Sequence, residues 1–354
     1  MPRKFTNNFA RWLNLGLITL TLLSYLSPYI NPNHFWPIAL LGLIYPILLV
    51  LNLFFIFYWL IKKRRYFLFS LTCVLLGWSF LTKNVGFNKE NLSEEQRVKI
   101  LSYNTHSGRN FLNPETKKRS GEAFANYINS KQADIICMQE FYNNPHYKKI
   151  RGSKGEKFYF TESQPGPIVI ASAFPIVKEG GFGFINASNG TVFADIDING
   201  TIIRVYNVHL KSNEITIIAD EVAASRDLRE RETWSKIKTM LKGYRRATKI
   251  RAAQTKEITE HIAQSPYPVL ICGDFNDVPQ SYVYQQLSQG KIDHFQETGR
   301  GMGSTFAGSI PFLRIDYILS SPAIKTLRTE VIKDEYSDHY PIVSEINFQV
   351  LGHN

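Results

Sequence analysis

The stretch Val269-Leu270-Ile271-Cys272-Gly273-Asp274-Phe275-Asn276-Asp277 decides how this chain reads. Apolar residues followed by a glycine and an acid describe a buried strand that stops and presents polar side chains at its end. Loops that leave a rigid sheet are where catalytic groups collect. The same device recurs on both sides. Upstream stand Ile100-Leu101-Ser102-Tyr103-Asn104, Ile135-Ile136-Cys137-Met138-Gln139-Glu140 and Val205-Tyr206-Asn207-Val208-His209-Leu210. Downstream stand Arg314-Ile315-Asp316-Tyr317-Ile318-Leu319 and Ser337-Asp338-His339-Tyr340-Pro341. Each motif is weak alone; six in this order are specific.

Between the motifs, short apolar strands alternate with helical stretches. The patterning predicts strands at 98–103, 134–138, 168–171, 268–272, 314–319 and 342–350, and a helix at 120–131. The runs 191–198 and 201–208 flank Asn199-Gly200, the strongest short hairpin signal. Residues 217–264 are helical in composition, with an interruption expected near Gly243. Residues 98–354 thus read as one mixed α/β domain, with 86–97 a polar linker.

Composition limits the partners. Hydrophobic residues make up 44%, which excludes a disordered polar chain. The net charge of +11 suggests a nucleic-acid binder until its location is considered. Residues 1–85 hold Arg3, Lys4, Arg11, Lys62, Lys63, Arg64, Arg65 and Lys83 and no acid, so the remainder carries only +3. The same segment contains three apolar stretches, at about 12–30, 35–61 and 66–82. A helix needs about 20 apolar residues to cross a hydrocarbon core. A cleaved signal peptide has a shorter apolar region and a small-residue cleavage site, so a membrane anchor is expected instead. Both basic clusters, before the first stretch and at 62–65, belong on the cytoplasmic side. Three spans satisfy them and place residues after 85 outside the cytoplasm. The expectation is an integral protein of the inner or plasma membrane, embedded in a lipid bilayer through residues 1–85, with its catalytic domain on the extracytoplasmic (periplasmic) side.

Together the six motifs resemble the endonuclease/exonuclease/phosphatase superfamily, the DNase I-like fold, over about residues 97–350, in a membrane-anchored bacterial-type form. The resemblance implies a four-layer α/β/β/α sandwich preceded by about three transmembrane helices. It implies hydrolysis of a phosphate ester with a divalent metal, Mg²⁺ or alternatively Mn²⁺, on nucleic acid or a lipid headgroup. No obligate protein partner is implied. Such hydrolysis must neutralise charge on the phosphoryl oxygens and hold a water in line, and Mg²⁺ prefers carboxylate oxygens and retained waters.

Carried onto this chain, the pattern makes Glu140 the metal carboxylate, with Asn104 assisting it or the phosphate and Asp338 a second metal-side carboxylate. Asp274 orients or deprotonates the attacking water, and Asn276 donates to a phosphate oxygen. His339 is the acid–base or charge-stabilising group, its tautomer fixed by Asp316. His209, in Asn-Val-His-Leu, matches the deoxyribonuclease I-like and sphingomyelinase-like branches rather than abasic-site nucleases. It would contact the phosphate or protonate the leaving group. A catalytically silent membrane-bound binding module is the alternative from another class, and the presence of every core motif residue argues against it.

Other features receive blander readings. Asp195 and Asp197 alternate along a strand and are expected on its solvent face, and Asp277 reads as a cap or turn residue. His106, His146 and His261 lack a motif. Cys73, Cys137 and Cys272 are expected as buried free thiols. Residues 225–256 hold 11 Lys and Arg against 3 acids, either a solvated helix face or a groove for nucleic acid or anionic lipid. The stretch 299–306 reads as a flexible loop near the site, with Arg300 a candidate phosphate contact.

Overall fold

The structure, a computed structural model, describes residues 2–88, 97–111, 120–141, 149–161, 167–184, 189–213, 231–308, 312–334 and 336–348. Its helices are α1 (Pro2–Ser24), α2 (Pro32–Phe35), α3 (Pro37–Leu43), α4 (Tyr45–Ile61), α5 (Phe67–Leu76), α6 (Trp78–Thr82), α7 (Gly121–Ser130), α8 (Arg231–Ala263), α9 (Tyr282–Ser288) and α10 (His294–Thr298). One six-stranded sheet joins β2 (Val98–Asn104), β3 (Ile135–Gln139), β4 (Tyr159–Phe160), β5 (Val169–Ser172), β13 (Ile324–Val331) and β14 (Ile342–Phe348), in the order β13-β14-β2-β3-β5-β4. The other joins β6 (Ile176–Gly183), β7 (Gly190–Ile198), β8 (Thr201–His209), β9 (Val269–Asp274), β10 (Ile292–Asp293) and β12 (Asp316–Ser320), in the order β10-β12-β9-β8-β7-β6.

Both faces of each sheet are covered, which is why the central strands read as unbroken apolar runs. Ile100, Ile135, Val192, Val205, Leu270 and Ile318 meet between the sheets. The alternate residues Leu101, Tyr103, Ile136 and Met138 pack under Phe124 and Ile128 of α7. On the far side, Tyr206, Ile271, Tyr317 and Leu319 pack under Ile258 of α8 and Val283 of α9. The architecture is an α/β sandwich of the expected kind. Asn199 and Gly200 turn the β7–β8 hairpin with φ of 53° and 91°, the left-handed pair that this short turn requires.

Several local expectations change. Helix α8 runs through Gly243 without interruption, because Tyr244, Ala247 and Arg251 bury one continuous face beside it; residues 217–230 lie outside the described residues. Asp195 is not on a solvent face: it is buried and takes both arms of Arg204, at 2.6 and 2.8 Å. Asp197 accepts from Gly200 N at the hairpin turn. Asp277 is the buried ion-pair partner of Arg251 on α8, at 3.0 Å. The expected linker begins as a strand, β1 (Val85–Phe87), which pairs with β11 (Arg300–Met302), so 299–302 belongs to a two-stranded ribbon. All three cysteines are buried and free.

The three expected spans are shorter or broken. Helix α1 stops at Ser24, the segment 35–61 breaks at Ile44, and the last stretch divides at Gly77 into α5 and α6. Pro37 and Pro46 each occupy a helix's first turn, where proline fits but cannot continue the helix before it. Among the described residues no single helix is long and apolar enough to cross a membrane; α3 and α4, bent by 60° at their junction, reach that length and hydropathy only as a pair. The expectation of three continuous transmembrane helices therefore finds no support.

The helical unit buries hydrogen-bonded polar groups beside an apolar cluster of Tyr45, Leu49, Val74 and Phe80, and it exposes many large apolar side chains. Asn14 Nδ2 donates to Ser70 Oγ at 2.7 Å, Trp59 Nε1 to Asn14 Oδ1 at 3.0 Å and Asn52 Nδ2 to Thr21 Oγ1 at 2.9 Å, all buried. Phe9, Trp12, Val50, Phe54, Phe57, Ile61 and Leu76 are exposed. The guanidinium of Arg11 lies over the Tyr66 ring, so the α1 start and the basic 62–65 turn share one end. At the other end Tyr25 stacks on Phe80, nearest the sandwich.

Candidate active site

Strand direction gathers the motifs. β2 and β3 are parallel, with Asn104 opposite Gln139, and β8 and β9 are parallel, with His209 opposite Asp274. All four therefore end on one edge. β12 runs antiparallel to β9 and starts there, with Asp316 opposite Asp274. β14 runs antiparallel to β2, so the Ser337-Asp338-His339 turn before it reaches the same edge. Inter-sheet hydrogen bonds hold the two halves in place. Gln139 Nε2 donates to Asn207 Oδ1 at 2.6 Å, and Asn207 Nδ2 donates to Met138 O and Val169 O.

Asp274 is the hub. Its Oδ2 accepts from Asn104 Nδ2 and Asn276 Nδ2, each at 3.0 Å, and lies 3.8 Å from both His209 Nε2 and His339 Nε2. Asn104 Nδ2 also reaches toward Glu140 Oε1 at 3.4 Å, and His209 Nε2 lies 3.9 Å from the same oxygen. His339 Nδ1 faces Asp316 at 3.0 Å. Thus Asn104, Glu140, His209, Asp274, Asn276, Asp316 and His339 meet in one place.

Three predicted residues sit otherwise. Asp338 turns to His106, with Oδ1 3.0 Å from Nδ1. Asn276 has its amide on Leu210 O and Asp274, so in this arrangement it braces the acid rather than offering a free donor. Arg300 is exposed on the β1–β11 ribbon and donates to Asn88 O at 3.0 Å. His146 lies outside the described residues.

Other site residues carried little sequence signal. Thr305 Oγ1 accepts from Ile315 N and Asp316 N, fixing the acid's backbone, and Thr305 O accepts from Tyr340 N beside His339. Ser337 Oγ donates to Asn104 O and accepts from His339 N. The Phe306 ring meets the His339 ring edge-on, centroids 5.2 Å apart. Several of these contacts, such as Phe306 with His339 and Ser337 with Asn104, join residues more than 30 apart in sequence, and only Ser337 lay inside a recognisable motif.

The electrostatics divide the histidines. Burial and the neighbouring His339 push His209 down to about 3, leaving it neutral. Burial also opposes charge on His339, but the carboxylates of Asp316 and Asp274 outweigh it and raise it to about 10. Burial, then the charge of Asp316, lift Asp274 to about 7 against the pull of His339. The backbone is strained at the same place: Glu140 has φ 50° and Asn276 φ 52°, conformations costing non-glycine residues about 1–3 kcal/mol. Gly273 (φ 138°) is obligatory, since a Cβ would lie 1.9 Å from Val208 O.

Two groupings could hold a cation. Asp274, Asp316 and His339 each offer a ligand atom, all within 4.8 Å of one another. In this grouping, however, His339 Nδ1 already faces Asp316 at 3.0 Å. Glu140 is the better fit. Its side chain is 30% exposed, Asn104 holds it near Asp274, and beside it His209 has both ring nitrogens buried without a hydrogen-bond partner. An oxygen-rich, half-open pocket suits a hard divalent ion that keeps its waters.

Comparison with known proteins bears on the fold and the family. An endonuclease/exonuclease/phosphatase family protein from Bacteroides thetaiotaomicron superposes with a TM-score of 0.50 at 17% identity, covering 73% of this chain and 100% of that one. A mannosyl-6-phosphatase from the same organism gives 0.49 at 17% identity, covering 71% and 100%. The human Nocturnin catalytic domain with a bound sulfate gives 0.48 at 16%, covering 72% and 94%. Identities this low speak to the fold alone. No curated protein sequence matches the chain. Residues 7–84 match a domain of unknown function. Residues 101–339 match the endonuclease/exonuclease/phosphatase family, whose members are hydrolases acting on phosphoesters, and this chain belongs to that family.

Proposed function

We propose that this chain is a membrane-anchored, divalent-metal-dependent phosphoesterase that hydrolyses a phosphodiester outside the cytoplasm. The observation that carries the chemistry is the convergence of Glu140, Asp274, His209 and the Asp316–His339 pair on one sheet edge. Glu140, steadied by Asn104, would hold Mg²⁺ or Mn²⁺, which supplies charge neutralisation at the phosphoryl oxygens. Asp274 takes the proton of the attacking water as its oxygen bonds to phosphorus. The ester P–O bond breaks, and the leaving oxygen receives the proton of the His339 imidazolium, held in orientation by Asp316. His209, neutral and desolvated, is placed to contact a phosphate oxygen.

Support for the anchor is the exposed apolar outer face of the helical unit, since large exposed apolar patches mark membrane or protein contact. Its basic residues at 11 and 62–65 share the end away from the sandwich, matching a cytoplasmic flank. One contact favours a lipid headgroup over nucleic acid as substrate. Leu43, at the end of α3, and Phe306 both pack against the cluster of Val278, Leu313 and Ile315, and Phe306 lies against His339.

The test is the full chain in detergent, assayed with Mg²⁺ on a generic phosphodiester, plasmid DNA and phospholipid vesicles. His339→Ala is expected to lower the rate by about 10²–10⁴-fold, and EDTA to abolish it. Full activity in EDTA, or in the His339→Ala variant, overturns the proposal. Cleavage of DNA but not vesicles overturns the lipid reading alone.

A further inference from the structure

The last helix of the N-terminal unit ends against the back of the active site. α6 is only five residues long, and the last carbonyls of a helix have no partner within it. Here the catalytic domain supplies partners, alongside Asn84 Nδ2, which also donates to Phe80 O at 2.8 Å. Gln280 Nε2 donates to Phe80 O at 3.1 Å, Arg314 Nη1 to Lys83 O at 2.8 Å, and Gly303 N to Asn84 O at 3.0 Å.

Each donor sits beside a residue that builds the site. Gln280 follows the Asp274–Asn276 turn by four residues. Gly303 precedes by two the Thr305 whose hydroxyl holds the Asp316 backbone. Arg314 precedes Asp316 itself by two. Gln280 and Arg314 are both buried. Arg314 is clamped between the rings of Phe295 and Tyr317, each 4.8 Å from its guanidinium carbon, and its second arm pairs with Asp293. Asp293 in turn accepts from Tyr284 and caps α10. A buried charge in such a network has no freedom to relax, so its geometry passes to its neighbours.

We propose that Arg314 is a positioning residue, which with Gln280 couples the docked end of α6 to the Asp316–His339 pair, so that the catalytic centre is in register only while the helical unit is seated. The activity part of this inference rests on the phosphoesterase reading; the coupling itself does not. Arg314→Lys keeps the charge against Asp293 but gives up the fork that reaches Lys83 O, because a single ammonium cannot make both contacts in a fixed plane. Gln280→Met keeps volume and loses only the donor to Phe80 O.

The experiment measures three things on the full chain in detergent: kcat and KM on a phosphodiester, the downfield proton resonance of the His339 Nδ1–H facing Asp316, and thermal unfolding. Both variants are expected to stay folded, to lose roughly tenfold or more in kcat with KM within about twofold, and to shift or broaden the His339 resonance. The doubly substituted chain should lose no more than the worse single variant if the two contacts act as one unit. Unchanged kcat and an unchanged His339 resonance, with only a lower unfolding temperature, would mean that the contacts are structural glue and would overturn the proposal. Should the wild type cleave no phosphodiester, the phosphoesterase reading fails and the His339 resonance alone decides the coupling: a shift supports it, no shift in either variant refutes it. Should Arg314→Lys fail to fold, the same two outcomes are read from Gln280→Met.

Discussion

In the sandwich, Ile100, Val192, Leu270 and Ile318 meet across two sheets, and the polar groups that matter stand at one edge. In the helical unit, Asn14, Thr21, Asn52 and Ser70 occupy the interior, while Phe54, Phe57 and Ile61 face outward. Both regions bury apolar side chains, but the helical unit sets hydrogen-bonded polar pairs among Tyr45, Leu49, Val74 and Phe80. A sandwich gains stability by removing apolar surface from water. A bundle that associates within lipid has no such gain between its helices and relies on close packing and interhelical hydrogen bonds. The contrast is between a core held mainly by apolar burial and one that adds buried polar pairs between helices, and each substitution below tests one side of it.

The largest effect is expected in the catalytic edge. His339 is raised to about 10, burial working against it and Asp316 and Asp274 for it. Its folded value lies above the ordinary 6.5, so its contribution to stability is complete below about 6.5 and is lost as pH rises toward 10. Activity should climb as Asp274 ionises near 7 and fall as His339 deprotonates near 10. Asp316→Asn removes the foremost raising charge and should move the alkaline limb of the pH–rate profile to lower pH. The variant is expected to lose about tenfold or more at pH 9 relative to pH 7. An alkaline limb that stays in place would detach Asp316 from His339.

Next in size is the sandwich core. Ile318→Ala leaves a cavity between the sheets and should cost about 2–5 kcal/mol in denaturant unfolding. Asn14→Leu makes the helical interior more apolar, a change that would help an ordinary core. Here it should cost about 1–3 kcal/mol, because Trp59 Nε1 and Ser70 lose their partner. A stabilised Asn14→Leu protein would break the comparison. The smallest effect is expected for Phe57→Ala, on the outer face. It should leave unfolding in detergent within about 0.5 kcal/mol, yet weaken co-sedimentation of the full chain with phospholipid vesicles.

Much of the site was legible because a strand that must stop in order to present a polar group leaves a local mark. Asn104, Glu140, His209 and Asp274 stand at such a stop, while Asp316 opens β12 and His339 lies in the turn before β14. Asp195 was misread because alternation along a strand gives its two faces but not which of them is covered; α8 and the neighbouring Tyr267 and Phe193 shield the Asp195–Arg204 pair. Thr305 and Arg314 escaped because their partners, Asp316 N and Lys83 O, are defined only once the chain has folded.

The sequence by itself determined the family, the sandwich and the order in which the site residues come, since hydrophobic period and strand ends are local properties. It also located eight of the eleven net charges in residues 1–85. Only the tertiary structure decided that the apolar stretches bend and divide, that polar side chains pair inside the helical unit, and that Asp338 and Arg300 turn away from the Asp274 hub. Those outcomes depend on which distant group reaches a buried atom first, and no spacing along the chain records that.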